Sequence, residues 1–138
     1  MKINQFFKPA LAVVLISSSF FIVSCEKDAR TPPDMSFKTG STYVSADVTL
    51  PMDTTIKVGI TATKTEDELN TYNVSYAYDG ATTTTTSQTF ELTKDDEESY
   101  TKDVNITTRS VAGTEKWSFT ITDKDGNTTV KSITLTVQ

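Results

Sequence analysis

The sequence predicts an all-β fold: a single seven-stranded antiparallel sandwich of two sheets. Three observations lead there. Thr is heavily used while Leu and Ala are scarce, and β-branched residues suit strands better than helices. From residue 42 onward, apolar residues recur at every second position, the period of a strand with one buried face. Clusters of Gly, Asp, Asn and Pro separate these runs at short intervals, as turns do.

The chain of 138 residues begins with a segment that cannot belong to such a domain. Lys2 and Lys8 precede an apolar stretch, Ala10 to Val23. That stretch is shorter than the ~20 residues a helix needs to cross a bilayer core. The positive start and short apolar centre mark residues 1–24 as a cleaved secretory signal. It ends Ile22-Val23-Ser24-Cys25, an aliphatic residue and small residues before the chain's one cysteine. This resembles the lipobox of bacterial lipoproteins. The resemblance implies that Ile22, Val23 and Ser24 are read by the signal peptidase. It also implies that Cys25 receives the lipid and becomes the first residue of the mature protein. Each buried lipid CH₂ contributes ~0.8 kcal/mol, so two or three acyl chains anchor firmly.

Residues 25–41 are polar and carry Pro32-Pro33, so they read as a flexible tether. Glu26, Lys27 and Asp28 follow the cysteine directly. They resemble the charged sorting signals of Bacteroidetes surface lipoproteins, which implies an outer-membrane location in the cell envelope, facing either the surface or the periplasm.

The sandwich is expected over residues 42–138. In the run 42–50, Val44, Ala46 and Val48 alternate, and Pro51 ends it. In 54–64, Ile56, Val58, Ile60 and Ala62 share one side, the clearest half-buried strand of the chain. Thr65 and Glu68 have capping-box spacing, which predicts a single helical turn with Leu69 plugging the core. Tyr72, Val74, Tyr76 and Tyr78 then share a face, and Asp79-Gly80 is a hairpin signal. Residues 82–92 form a polar, threonine-rich strand suited to an edge, ending in Phe90 and Leu92. After the acidic loop 94–99, Tyr100, Val104 and Ile106 alternate. The last hairpin pairs Trp117, Phe119 and Ile121 with Ile133, Leu135 and Val137 across the turn at 123–128.

That final hairpin, with Asp-Lys-Asp-Gly-Asn at its turn, is similar to the last two strands of bacterial immunoglobulin-like domains. The resemblance implies an Ig-like sandwich. The chain departs from antibody domains in having no pair of cysteines, so the core must hold by packing alone.

Composition narrows the function. The chain has no histidine and one cysteine, which removes histidine-based triads and most zinc sites. Its net charge of −5 comes with no basic stripe, which argues against nucleic acid. Carboxylates run together at 95–98 in one loop, but a glycosidase needs two facing each other across a cleft. No Ser-Lys dyad stands at a recognisable spacing. A non-catalytic module is therefore expected, without cofactor or metal and as a monomer. Its partners are the membrane lipid at Cys25 and either a glycan or an envelope protein. A carbohydrate-binding accessory of a surface glycan-uptake system is the alternative reading.

Candidate ligand contacts are Tyr76, Tyr78 and Trp117, which can stack on a sugar if exposed and otherwise line the core. Asp53-Thr54-Thr55 resembles the O-glycosylation acceptor of exported Bacteroidetes proteins, with Thr54 as the acceptor. Asp123, Asp125 and Asn127 alternate as in a calcium loop, but the twelfth position is Thr134 rather than an acid.

Overall fold

The computed structural model describes residues 30–138. Cys25 and its neighbours Ile22, Val23 and Ser24 lie outside the described residues. Eight strands build the domain: β1 Asp34–Phe37, β2 Val48–Leu50, β3 Thr55–Thr63, β4 Leu69–Tyr78, β5 Thr85–Glu91, β6 Ser99–Thr107, β7 Gly113–Asp123 and β8 Thr128–Val137. They form two sheets, β1-β3-β6 and β2-β8-β7-β4-β5. The order is that of an immunoglobulin-like sandwich: β4–β5 and β7–β8 stay within the large sheet, and the other connections pass between the layers.

Three expectations need correction. First, there are eight strands, not seven, because β1 arises inside the stretch read as tether. Its four residues hold just two inward positions, Met35 and Phe37, too few to register as a periodic pattern. Phe37 meets Phe119 edge-on, with ring centroids 5.4 Å apart. The tether is therefore shorter than 25–41, and the domain begins before residue 42. Thr65 donates its hydroxyl to the carbonyls of Thr31 and Pro32, and Thr129 donates to that of Pro33. These bonds lace the incoming chain to the sandwich.

Second, the sheets are not wholly antiparallel. The run expected as one strand over 42–50 is paired as a strand only at Val48–Leu50, which lies parallel to β8. Ala46 is exposed rather than inward. The first edge of the domain is thus split, with β1 in the small sheet and β2 in the large one.

Third, Thr65 caps no helical turn, since its hydroxyl is engaged by the incoming chain and residues 65–67 only bend. Leu69 does fill the core end, with no exposed surface.

The core lies between the sheets. Ile60, Leu69, Val74, Phe119, Ile121 and Leu135 are all fully buried. Each such side chain contributes about 1.5–3 kcal/mol by leaving water. Tyr72 joins them, stacked on Phe90 at 5.7 Å, and burial pushes its phenol pKa up. Phe90 is covered in turn by the Lys102 ammonium, 4.4 Å from its centroid. As expected, β5 is an edge strand, and its residues are exposed apart from Phe90.

The strand directions give the domain two ends. At one end, where the chain enters, Asp34 lies opposite Thr63, and Leu69 opposite Asp123. At the far end, Thr55 lies opposite Thr107, Gly113 opposite Val137, and Tyr78 opposite Glu115. The turn at Asp79-Gly80 closes the far end with both residues at positive φ, 52° and 76°, as a type I′ turn requires.

Candidate functional site

Two places bring chemically able side chains together: a buried cluster at the far end and a cleft on the outer face of the small sheet.

The cluster contains the aromatic residues expected to contact ligand. The inward phase of β7 runs Glu115, Trp117, Phe119, Ile121, Asp123. Trp117 is 7% exposed, and its indole N–H donates to Glu115 at 2.9 Å. Tyr76 packs on Trp117 at 5.0 Å and on Tyr78 at 4.7 Å. The Arg109 guanidinium covers Tyr78, 4.7 Å from the ring centroid. Trp117 thus belongs to the core, and Tyr76 and Tyr78 are half-buried at its rim. Of the two alternatives, an open stacking platform or the core and its rim, these positions follow the second. The physical reason is their shared phase with Val74, which turns all of them toward the facing sheet.

Glu115 is the residue the sequence reading missed. It is fully buried and accepts hydrogen bonds from Trp117 Nε1 and from the Arg109 backbone N–H, at 2.8 Å. Arg109 Nε approaches the same carboxylate at 3.9 Å, while its Nη2 donates to Asp79 at 2.6 Å. The Arg109 bond and the Thr114 backbone N–H hold the Asp79 pKa below its ordinary value. The signal was present in the sequence, since the alternation through Trp117 and Phe119 extends to both Glu115 and Asp123.

Asp123 shows why the calcium pattern is a turn. Its carboxylate accepts the Asn127 backbone N–H at 2.8 Å and the Asn127 side-chain amide at 3.0 Å. Two of the three candidate ligands are therefore bonded to each other. The acidic run at 95–98 is likewise engaged: Glu98 pairs with Lys64, and Glu97 with Lys124, which also holds Glu68.

Thr54 follows Asp53, which has φ of 54°, in the turn between β2 and β3. Its backbone is clasped by Thr108: Thr54 N–H donates to Thr108 Oγ1 at 2.9 Å, and Thr108 N–H donates to the Thr54 carbonyl. The Thr54 residue is half-buried.

The cleft has a volume of about 440 Å³ and is lined by Ser41, Thr42, Tyr43, Val44, Thr55, Ile56, Lys57 and Asn105. It exists because the chain leaves the small sheet after β1, turns at Gly40, and returns where Val44 N–H donates to the Lys57 carbonyl. Lys57 and Asn105 lie directly opposite each other on β3 and β6. Tyr43 forms one wall. Its hydroxyl donates to Asp103 at 3.0 Å, and Lys38 bonds the other Asp103 oxygen at 2.7 Å. The Lys38 bond, assisted by Tyr43, keeps the Asp103 pKa below its ordinary value. Tyr43 and Lys38 can lie flat there because residue 59 is glycine. A Cβ on Gly59 would meet Lys38 Cδ at 2.6 Å and Tyr43 Cε1 at 2.8 Å.

No known protein-family model matches the chain, and no curated protein does. Among solved structures, the β-glucosidase from Listeria innocua in complex with glucose aligns at 10% identity, over 75% of this chain and 16% of the enzyme, with a TM-score of 0.46. A second structure of that enzyme aligns at 10% identity over 77% of this chain and 16% of its own, with a TM-score of 0.47. This chain therefore spans far less than two thirds of the enzyme's length. A Niemann-Pick type C2 protein from Japanese carpenter ant aligns at 10% identity over 76% of this chain and 89% of its own, with a TM-score of 0.46.

Proposed function

We propose that the protein is a lipid-anchored, non-catalytic binding module of the bacterial cell envelope, held through Cys25 in the outer membrane. The observation that supports this reading most is the lacing of Thr31, Pro32 and Pro33 by Thr65 and Thr129. It leaves residues 25–30 between the lipid and the first secured residue. Such a stretch reaches at most about 20 Å when fully extended. The strand β7 alone, at 11 residues, spans roughly 35 Å. The entry end would then face the bilayer, and the far end with its loops would face away. Exposed Met52 and Val111 lie on those far loops, at 41% and 61% accessibility.

The test is metabolic labelling with radioactive palmitate in a bacterial host that processes lipoproteins. Label on the wild type and none on Cys25→Ser is the expected result. Label that persists on Cys25→Ser overturns the anchor. The resemblance of Glu26-Lys27-Asp28 to surface sorting signals adds a surface location. Added protease should then digest the protein on intact cells, and protection until lysis would place it on the inner leaflet.

A second reading, a carbohydrate-binding accessory of a surface glycan-uptake system, is favoured by the cleft beside Tyr43 rather than by Tyr76 and Tyr78. Modification of Thr54 also belongs to the proposal. It predicts a mature mass above that of lipid plus polypeptide, reduced to that sum in Thr54→Val.

A further inference from the structure

We infer that the cleft between Tyr43 and the Lys57–Asn105 pair binds a saccharide carrying a carboxylate, of the hexuronic acid class. The inference deepens the carbohydrate-binding reading above and rests on it, while standing apart from the lipid anchor.

The cleft's size comes first. At about 440 Å³ it falls at the lower part of the range for small-ligand sites. Its lining then selects chemistry. Ser41 and Thr42 bring hydroxyls, which both donate and accept, Thr55 brings one shared with the Thr107 hydroxyl at 2.8 Å, and Asn105 brings an amide that also donates and accepts. Sugar hydroxyls need such mixed partners. The Tyr43 ring, Val44 and Ile56 add apolar surface, which suits the C–H face of a pyranose.

Among the described residues, the side chains of Lys57 and Asn105 form no hydrogen bond or ion pair, although Lys57 lies near enough to act on Asp103 through space. Lys38, Lys64, Lys124 and Arg109 each hold an acid. Asp103, the acid beside the cleft, is already bonded to Lys38 and Tyr43. Lys57 is the one charged residue in the cleft lining. A single ammonium beside hydroxyls and an amide matches a carboxylate on a polyol.

The wall is also set in advance. Tyr43 is fixed by Asp103 and packed over Gly59, so its ring loses little freedom when a ligand arrives. The strands β3 and β6 beneath Lys57 and Asn105 are paired along their whole length. The site thus stands on a rigid sheet.

The experiment is calorimetric titration of the purified full chain in detergent micelles, and of its Cys25→Ser form. The probes are di- and trisaccharides of galacturonate, glucuronate, mannuronate and guluronate, each beside its neutral hexose counterpart. At least one uronide should bind, with the neutral counterpart weaker by about tenfold, the effect of one charge-assisted contact. Lys57→Met should remove that preference, and Tyr43→Ala should weaken both sugars, while Lys131→Met, outside the cleft, should change neither. Unchanged thermal unfolding of Lys57→Met certifies its fold. No uronide binding at millimolar concentration overturns the inference. So does uronide binding that survives both Lys57→Met and Tyr43→Ala. Neutral sugar binding that ignores Lys57 overturns the carboxylate assignment and leaves the carbohydrate reading standing. Binding that is equal in the wild type and Cys25→Ser separates this site from the palmitate result.

Discussion

Trp117 and Glu115, two residues apart on the inward face of β7, are joined by an indole-to-carboxylate hydrogen bond of 2.9 Å in the interior of the far end. The carboxylate also receives the Arg109 backbone N–H, and Arg109 passes the link on to Asp79. The chain of bonds ties β7 to the loop after β6 and to the turn after β4. Glu115→Ala leaves Trp117 Nε1 and the Arg109 N–H without acceptors. Arg109 keeps its ion pair with Asp79. A loss of about 1–3 kcal/mol for each orphaned buried donor is expected in urea unfolding. Glu115→Gln should lose less, because an amide oxygen still accepts one bond. Trp117→Phe should lose about 1–3 kcal/mol for the orphaned carboxylate oxygen. The Glu115→Ala/Trp117→Phe double variant should lose less than the sum of the two. Additive losses would mean that the bond contributes nothing.

Thr108 predicts a second weak point. It is buried, accepts the Thr54 N–H, and donates to the Pro51 carbonyl at 2.9 Å. Thr108→Val keeps the shape and removes the hydroxyl. The Thr54 N–H then loses its acceptor. A stability loss of about 1–3 kcal/mol is expected. Hydrogen exchange at the Thr54 amide should accelerate more than at Val58.

Gly59 predicts a third. Adding a methyl at this position drives into Lys38 and Tyr43. Gly59→Ala should cost about 1–3 kcal/mol, as overpacking does. Adding Lys38→Ala removes the nearest obstructing atom and should recover part of the loss. No recovery would show that the tyrosine or Asp103, rather than the lysine, sets the clearance.

The acid and alkaline limbs of stability follow from named groups. Lys124 holds the Glu68 pKa below its ordinary value of 4.5, and Asp79 and Asp103 are held below theirs of 3.8 by Arg109 and Lys38. A depressed folded pKa stabilises above the unfolded value and fails as pH falls through the folded one. The melting temperature should therefore fall as pH drops from about 4.5, and Asp79→Asn should flatten that limb. Burial raises the pKa values of Tyr72 and Tyr100 above 10.0, so stability should fall again as pH rises past that value. With no histidine in the chain, the curve between the two limbs should be flat. A transition near neutral pH in melting measured by circular dichroism would contradict this.

Much of the architecture was legible because burial enforces a strict alternation. The strands around Val58, Tyr72, Val104, Phe119 and Ile133 each carry it over several residues. The strand β1 was not legible because Met35 and Phe37 are too few to form a pattern, and because Pro32-Pro33 precede them. The tyrosines could be placed on a face but not at a depth. Depth depends on what the opposite sheet and Arg109 lay over them, which is long-range information. The Tyr43 cleft was invisible for the same reason. Its walls come from residues 41–44, 55–57 and 105, and only folding brings them together. Glu115 was hidden by its charge, although its phase along β7 marked it as inward.

The split first edge has a mechanical consequence. The chain enters at one end, pairs β1 with β3, then crosses to lay β2 parallel to β8 before Gln138 ends at the far end. A pull between Arg30 and Gln138 runs along these strands rather than across them. The bonds of both pairs must then slide past their partners together, instead of opening one after another from an end. Resistance to tension is therefore highest along the axis that joins the entry end to the far loops. A sideways pull on β5, held through one neighbour, should peel the domain at much lower force.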